Sequence, residues 1–240
     1  MSQVRAEQLC FRYAPGAALT LHPLDLDLPL GQRIALIGRS GCGKSTLARL
    51  LTGHLRPSGG ALTVDGLPPH LHPGVQLLPQ DPHQLLPPGV PLHLLVSESL
   101  LAHGRPADAD AVHALLGAVG LAARRGATAT QLSGGEQRRA ALARLLAAQP
   151  RLVVADELTS GLDAHLRPQI VQTLLAALGP ACTVVLVTHD LQLAARTCAR
   201  LLVLDGGRLV DDLDPTARPD AAHPATEALW RASRAAGVVR

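Results

Sequence analysis

Residues 38–45 read Gly38-Arg39-Ser40-Gly41-Cys42-Gly43-Lys44-Ser45, and no other segment restricts the fold as tightly. The spacing G-x-x-x-x-G-K-S is that of a phosphate-binding loop, which works only between a strand and a helix. There the unpaired N–H groups of the helix's first turn and the positive end of its dipole hold the anion. The flanks agree: the apolar run 34–37 predicts a buried strand, and Leu47, Leu50 and Leu51 recur at helical spacing. Lys44 is the only lysine in the chain, and arginine carries positive charge everywhere else. A compact ammonium on a flexible stem reaches between phosphates while backbone amides wrap around them. Gly41 and Gly43 leave room for that backbone, Ser45 would set its hydroxyl on Mg²⁺, and Thr46 would bond another phosphate oxygen.

The chain has 240 residues, enough for one α/β domain or for a core with a small appended lobe. A formal net charge of +3, spread without a dense basic block, gives no sign of a nucleic-acid or membrane-binding tail. The four cysteines, Cys10, Cys42, Cys182 and Cys198, form no C-x-x-C pair, and Cys42 sits inside the phosphate loop where a disulfide would distort it. A reducing compartment is the simpler expectation. No apolar run approaches the ~18 residues of a membrane span, and the first seven residues lack a signal-peptide core. Aromatic residues are reduced to Phe11, Tyr13 and Trp230, so leucine, valine and alanine must fill the core.

Along the chain, the first thirty residues alternate and break at 14–16 and near His22-Pro23, which predicts antiparallel strands beside the phosphate loop. A turn at 57–60 should precede a strand at 61–64, and 75–78 is a short apolar strand ending at Pro79-Gln80. From 81 to about 131 the pattern becomes a proline-broken loop followed by helices, with 107–125 and 139–148 reading as helical. Strand character returns at 152–155, 183–187 and 201–204, an alternation that predicts a mixed, largely parallel buried sheet.

Three further segments bear on chemistry. The strand at 152–155 ends in Asp156-Glu157, at the sheet edge where α/β proteins hold ligands; Asp156 would hold Mg²⁺ and Glu157 would polarise an attacking water. His189 follows the next strand and should emerge at the same edge, suited to a γ-phosphate contact or to positioning water. Taken alone, adjacent acids are a common solvated turn, and a histidine after a strand is commonly a plain surface residue. The run Leu132-Ser133-Gly134-Gly135-Glu136-Gln137 opens a helix with Ser133 as N-cap; it reads as a second anion-binding loop or as a capped helix after a flexible turn.

With those residues in hand, the chain resembles the ATP-binding cassette ATPases over about residues 3 to 210. Leu132 to Gln137 looks like their signature, Asp156 to Asp163 like their acidic strand end and D-loop, Gln80 like their Q-loop glutamine, and His189 like their switch histidine. The resemblance implies a P-loop core with an N-terminal antiparallel subdomain, over about 1–80 and 145–215, a helical subdomain over 81–144, and a tail over 216–240. It implies ATP and Mg²⁺ as cofactors and a head-to-tail dimer of two cassettes, identical or paralogous. In that dimer Ser133, Gly134 and Gly135 act on the ATP held by the other subunit's loop, with Asp163 organising the interface. It further implies that Tyr13 stacks on adenine and that Gln80 contacts Mg²⁺ or the water and links the site to the helical lobe. Lys44, Gln80, Glu157 and His189 would carry hydrolysis, and Ser45, Gln80 and Asp156 the metal.

The segments Gln80-Asp81-Pro82, Glu98-Ser99-Leu100 and His223-Pro224-Ala225-Thr226 resemble the nickel, dipeptide and oligopeptide importer branch of that family. The implied activity is ATP hydrolysis driving uptake of nickel, a metal–metallophore or peptides. The implied setting is the cytoplasmic face of the inner membrane, with permease subunits as direct partners and an extracytoplasmic solute-binding protein as an indirect one; no nucleic acid is expected. Two alternatives stay open: a soluble cassette ATPase acting on nucleic acid or ribosomes, and an exporter subunit. The eleven histidines, His70-Leu71-His72 among them, show no converging metal-ligand spacing, and a histidine-rich surface turn is expected there.

Overall fold

A computed structural model describes residues 3–163, 165–215 and 223–235. The parts of the predicted tail at 216–222 and 236–240 lie outside the described residues. Three strands, β1 (Gln3–Phe11), β2 (Leu21–Pro29) and, after the first helix, β4 (Gly59–Val64), form an antiparallel sheet in the order β2-β1-β4. Leu21, Leu24, Leu26 and Leu28 of β2 are buried while most of their neighbours face out, the period-2 pattern of a half-buried strand. The break expected at His22-Pro23 is absent, because β2 runs through it. Proline is tolerated there by a register shift between Leu9 and Phe11 of β1, and the His22 N–H is satisfied outside the pair, by the Gly207 carbonyl at 2.8 Å. Gly59 and Gly60 likewise belong to β4 rather than to a preceding turn.

The second sheet has six strands in the order β5-β6-β7-β3-β8-β9. They are β3 (Arg33–Ile37), β5 (Val75–Leu78), β6 (Leu152–Asp156), β7 (Thr183–Val187), β8 (Arg200–Asp205) and β9 (Arg208–Leu213). Only β9 runs antiparallel. Every residue of β6 and β7 is buried, as in a sheet covered on both faces. On one face Ile34, Leu36, Val154, Val185 and Leu202 pack with the small sheet and with helix α1 (Lys44–Leu51). On the other, Ala35, Val153, Leu186 and Val203 join a continuous apolar cluster with helices from the rest of the chain. Those are α2 (Leu92–Ala102), α3 (Ala109–Ala118), α4 (Gly134–Leu146), α5 (Arg167–Leu178), α6 (Leu191–Thr197) and α7 (Pro224–Ala235).

This order decides where chemistry can occur. β5, β6, β7 and β3 are consecutive neighbours and parallel, so the loops after their C-terminal ends leave the sheet side by side. β3 also has β8 on its far side, so the chain's winding reverses around it; ligands of open α/β sheets bind at such a switch point. No helix among the described residues is long and apolar enough to cross a membrane.

Candidate active site

The loop leaving β3 is shaped by backbone that only glycine permits. Gly38 has φ +154°, and a Cβ there would lie 2.2 Å from the Leu204 carbonyl oxygen and 2.7 Å from Cys42 Sγ. Gly43, at φ +104°, would push a Cβ to 2.8 Å from a methyl of Leu21. The loop is thus pressed against β8 and β2: a side chain at Gly38 would have to displace backbone, and one at Gly43 would meet leucine methyls in a left-handed conformation that side chains avoid. No side chain caps α1, and its first turn contains no acidic residue, leaving its amides for an anion. Lys44, only 6 % exposed, donates from Nζ to the carbonyls of Gly38 at 2.9 Å and Arg39 at 3.0 Å. Carbonyl dipoles rather than a carboxylate hold this buried charge, so it meets an incoming phosphate unpaired. Arg39, Ser40 and Gly41 form the exposed outer turn, while Cys42 is buried with Sγ 4.0 Å from Lys44 Nζ. Burial pushes the Cys42 thiol up, and Lys44 opposes that.

Asp156 ends β6 and is 7 % exposed. Burial pushes its carboxyl above the ordinary value, a hydrogen bond from Ser45 opposes this, Glu157 adds to it, and Arg49 and Lys44 offset part of it. Its Oδ1 is buried without a hydrogen-bond partner. An orphaned acidic oxygen beside a hydroxyl is the donor set a hard divalent cation takes, so Ser45 and Asp156 fit Mg²⁺. Gln80, expected in the same metal set, is engaged elsewhere: its Nε2 donates to Glu157 Oε2 at 3.2 Å and to Ser160 Oγ at 3.3 Å.

Glu157 adopts φ +45°, an uncommon conformation for a residue with a side chain. Its N–H is tied to the Val187 carbonyl at 3.0 Å, which locks the chain's exit from β6 to β7. His189, just past β7, places Nδ1 3.8 Å from Glu157 Oε1 with its side chain 59 % exposed. The glutamate is therefore flanked by an amide on one oxygen and an imidazole on the other. Tyr13, 60 % exposed, stands edge-on to Phe11 at 4.9 Å between ring centroids, and its hydroxyl shares a 3.0 Å hydrogen bond with Thr46. Thr46, expected to face phosphate, thus already has a side-chain partner.

Ser133, Gly134 and Gly135 are not part of this cluster. Ser133 is the N-cap of α4, in a reciprocal capping box with Glu136. The three line a separate cavity of about 430 Å³ together with Arg138, Arg139 and Asp163. Arg138 donates to the Ser160 carbonyl and, at 3.2 Å, to that of Gly134. Ser160 and Arg138 were missed in the sequence. They join the start of α4 to the turn after Glu157, and only their closeness to the two motifs hinted at it. His72 is also more enclosed than a surface turn implies: Nδ1 accepts from the Gly74 N–H at 3.1 Å, and Nε2 lies 3.4 Å from Asp65 Oδ2. Both ring nitrogens are occupied, and among the described residues no group of three potential metal ligands forms.

A phosphate loop after β3, with an acidic strand end two strands away among parallel strands, defines a P-loop nucleotide hydrolase. Residues 21–160 match the family model described as ABC transporter. An aliphatic sulfonates import ATP-binding protein of Mesorhizobium japonicum is 40 % identical over 206 residues, 85 % of this chain and 77 % of that one. A nickel import ATP-binding protein of Rhodospirillum rubrum is 37 % identical over 235 residues, 90 % of this chain and 83 % of that one. Relatives named for methionine import, hemin import and lipoprotein release match at 38 %, 37 % and 39 % identity. Among solved structures, cbiO1 of Clostridium perfringens, part of the transporter complex cbiONQ, superposes with a TM-score of 0.79 at 25 % identity, covering 88 % of each chain. The chain belongs to the ABC transporter family. It is an ATPase whose cofactors are ATP and Mg²⁺.

Proposed function

We propose that the chain is the nucleotide-hydrolysing subunit of an importer, working as a head-to-tail pair of cassettes bound to permease subunits at the cytoplasmic face of the membrane. One observation carries this. Lys44, Asp156, Glu157, Gln80 and His189 converge from four adjacent parallel strand ends, whereas Ser133, Gly134 and Gly135 open on a cavity that none of those five lines. A second anion-binding loop that cannot serve its own site serves a second copy's. The importer assignment is supported by the names of relatives that match most of the chain, for sulfonate, nickel, methionine and hemin import.

Mg²⁺, when bound, neutralises charge on the β- and γ-phosphates. Lys44 binds those phosphates from within the loop, and Ser45 and Asp156 hold the metal. Glu157 accepts a proton from the attacking water on the oxygen that Gln80 does not hold, and His189 orients the γ-phosphate or the water. Tyr13 stacks on the base. Residues 81–144 act as a helical lobe that Gln80 links to the core, with 1–80 and 145–215 as that core and 216–240 as the tail.

For cargo we propose the nickel or metal–metallophore class, with peptides next. The support is the nickel-import relatives and the tail motif, whose residues also anchor α7 to β9. There the Asp211 carboxylate accepts from the His223 N–H at 2.9 Å and from the Thr226 hydroxyl. These residues seat a helix and need not touch cargo; specificity belongs to the membrane chains.

The test is capture from membranes of a tagged Glu157→Gln chain with ATP present, followed by identification of the bound proteins and ATPase assay of the unmutated complex. Two permease subunits and a second cassette are expected, with nickel-stimulated turnover. Recovery of ribosomal or DNA-repair proteins instead would refute the transport role while leaving the ATPase intact.

A further inference from the structure

The second anion-binding loop already carries an anion of its own. Ser133 presents two outward donors, its N–H and its hydroxyl, and both reach the same oxygen, Glu136 Oε2, at 2.9 Å each. The Ser133 oxygen in turn accepts from the Glu136 N–H at 3.3 Å. These are charge-assisted bonds, roughly twice as strong as neutral ones. They hold the Glu136 carboxyl below the ordinary carboxylate range, assisted by Arg124 and Arg139 nearby, so the group is ionised at neutral pH. The other oxygen, Oε1, faces Arg124 Nε at 3.5 Å, at the end of the short helical turn Ala122–Arg124 that follows α3. The loop is exposed and open: a Cβ at Gly135 would meet no atom within 4 Å.

Two consequences follow. A γ-phosphate arriving at Ser133 competes with the carboxylate for the same hydroxyl and amide, and it meets a like charge within a hydrogen bond of its seat. Arg124 offers the displaced carboxylate an alternative partner, already in contact on its other oxygen. We propose that Glu136 is a positioning residue that self-ligates the signature loop and opposes its engagement of ATP, with Arg124 the counter-charge that receives the carboxylate as the two cassettes close. This rests on the head-to-tail reading given above. It differs from an ordinary helix cap in sign: a glutamine completes a capping box as well as glutamate does, so a pure cap would be indifferent to the exchange.

The experiment measures ATP-driven dimerisation of the full chain by analytical ultracentrifugation in the Glu157→Gln background, with Glu136→Gln and Arg124→Ala added singly and together. At about 50 mM salt, Glu136→Gln is expected to lower the ATP concentration for half-maximal dimer by about threefold to tenfold. Arg124→Ala should raise it by about threefold, and should do nothing once Glu136 is neutral. At about 1 M salt, where the Debye length falls to about 3 Å, the Glu136→Gln advantage should shrink below about twofold. A folded Glu136→Gln chain that dimerises no more readily than its parent overturns the proposal, as does an advantage indifferent to salt, which would assign the effect to helix stability. If the Glu157→Gln parent itself forms no ATP-dependent dimer, the head-to-tail reading falls and the proposal with it. A dimerising parent that ignores Glu136→Gln overturns the proposal alone.

Discussion

The two anion-binding ends of this molecule are built on opposite terms. At the β3 loop the backbone is forced, Lys44 and Asp156 are buried, and one acidic oxygen has no hydrogen-bond partner. At the start of α4 the loop is exposed, and both donors of Ser133, its N–H and its hydroxyl, are met by a side chain three residues on. The first end is preorganised and stores an unmet demand that ligand and metal relieve; the second is self-contained until something displaces Glu136. Buried and strained residues at the first end tie function to folding. At the second, function should be separable from folding.

The largest effect expected is on turnover at the first end. Glu157→Gln removes the proton acceptor while keeping size and the partner for Gln80, so phosphate release should fall about 10²- to 10⁴-fold with ATP still bound. Retention of more than about a tenth of the activity would move the base to another group, His189 being next in contact.

Gly38→Ala attacks the same end through the fold. The added methyl would overlap the Leu204 carbonyl in a backbone conformation that side chains avoid, so destabilisation of about 3 kcal/mol or more is expected by urea unfolding. An unfolding midpoint equal to wild type would mean that the loop has slack, and the contrast between the two ends would lose its basis.

Ser133→Ala is the mirror experiment. Loss of the cap costs about 1 kcal/mol, a fall of about 2–4 °C in melting temperature. Turnover should drop about tenfold to a hundredfold while a single chain's affinity for nucleotide stays within about twofold. A parallel loss of monomer affinity would place Ser133 at its own chain's site, contrary to the separation of the two ends.

Much of this architecture is legible in the residues, and what is not has a common cause. The runs at 152–155 and 183–187 read as strands because both faces are buried and neither side of the pattern is polar. β9 escaped because Arg208, Asp211 and Asp212 break its apolar pattern at an edge that packing only half covers. Pro23 reads as a break, yet the bulge and the amide bond from His22 to Gly207 absorb it; neither is local to the proline. The phosphate loop and the acidic pair are contiguous motifs and announce themselves. The contact of Gln80 with Glu157 spans 77 positions, and Arg138 reaches Ser160 across 22. Such contacts exist only once the strands are ordered, so the sequence names their members without showing what they touch.

The smallest expected effect separates the ligand's contribution from the fold's at Asp156. Burial raises this carboxyl's pKa, so the folded chain holds its proton more tightly than the unfolded chain does. By linkage, stability is full below the unfolded carboxyl's value and is lost as pH rises through the folded one; at neutral pH the ionised group is a net cost to the ligand-free fold. Asp156→Asn removes that cost and keeps an acceptor for Ser45. Without nucleotide its melting temperature should rise by about 2–4 °C at pH 7.5, and the gain should shrink in acid, where Asp156 itself is neutral. Adding Mg²⁺ and ATP should reverse the order, since a carboxylate binds the cation and an amide binds it poorly. A variant less stable than wild type in the absence of ligand would show that the Ser45 bond outweighs burial, and that the first end stores no unmet demand.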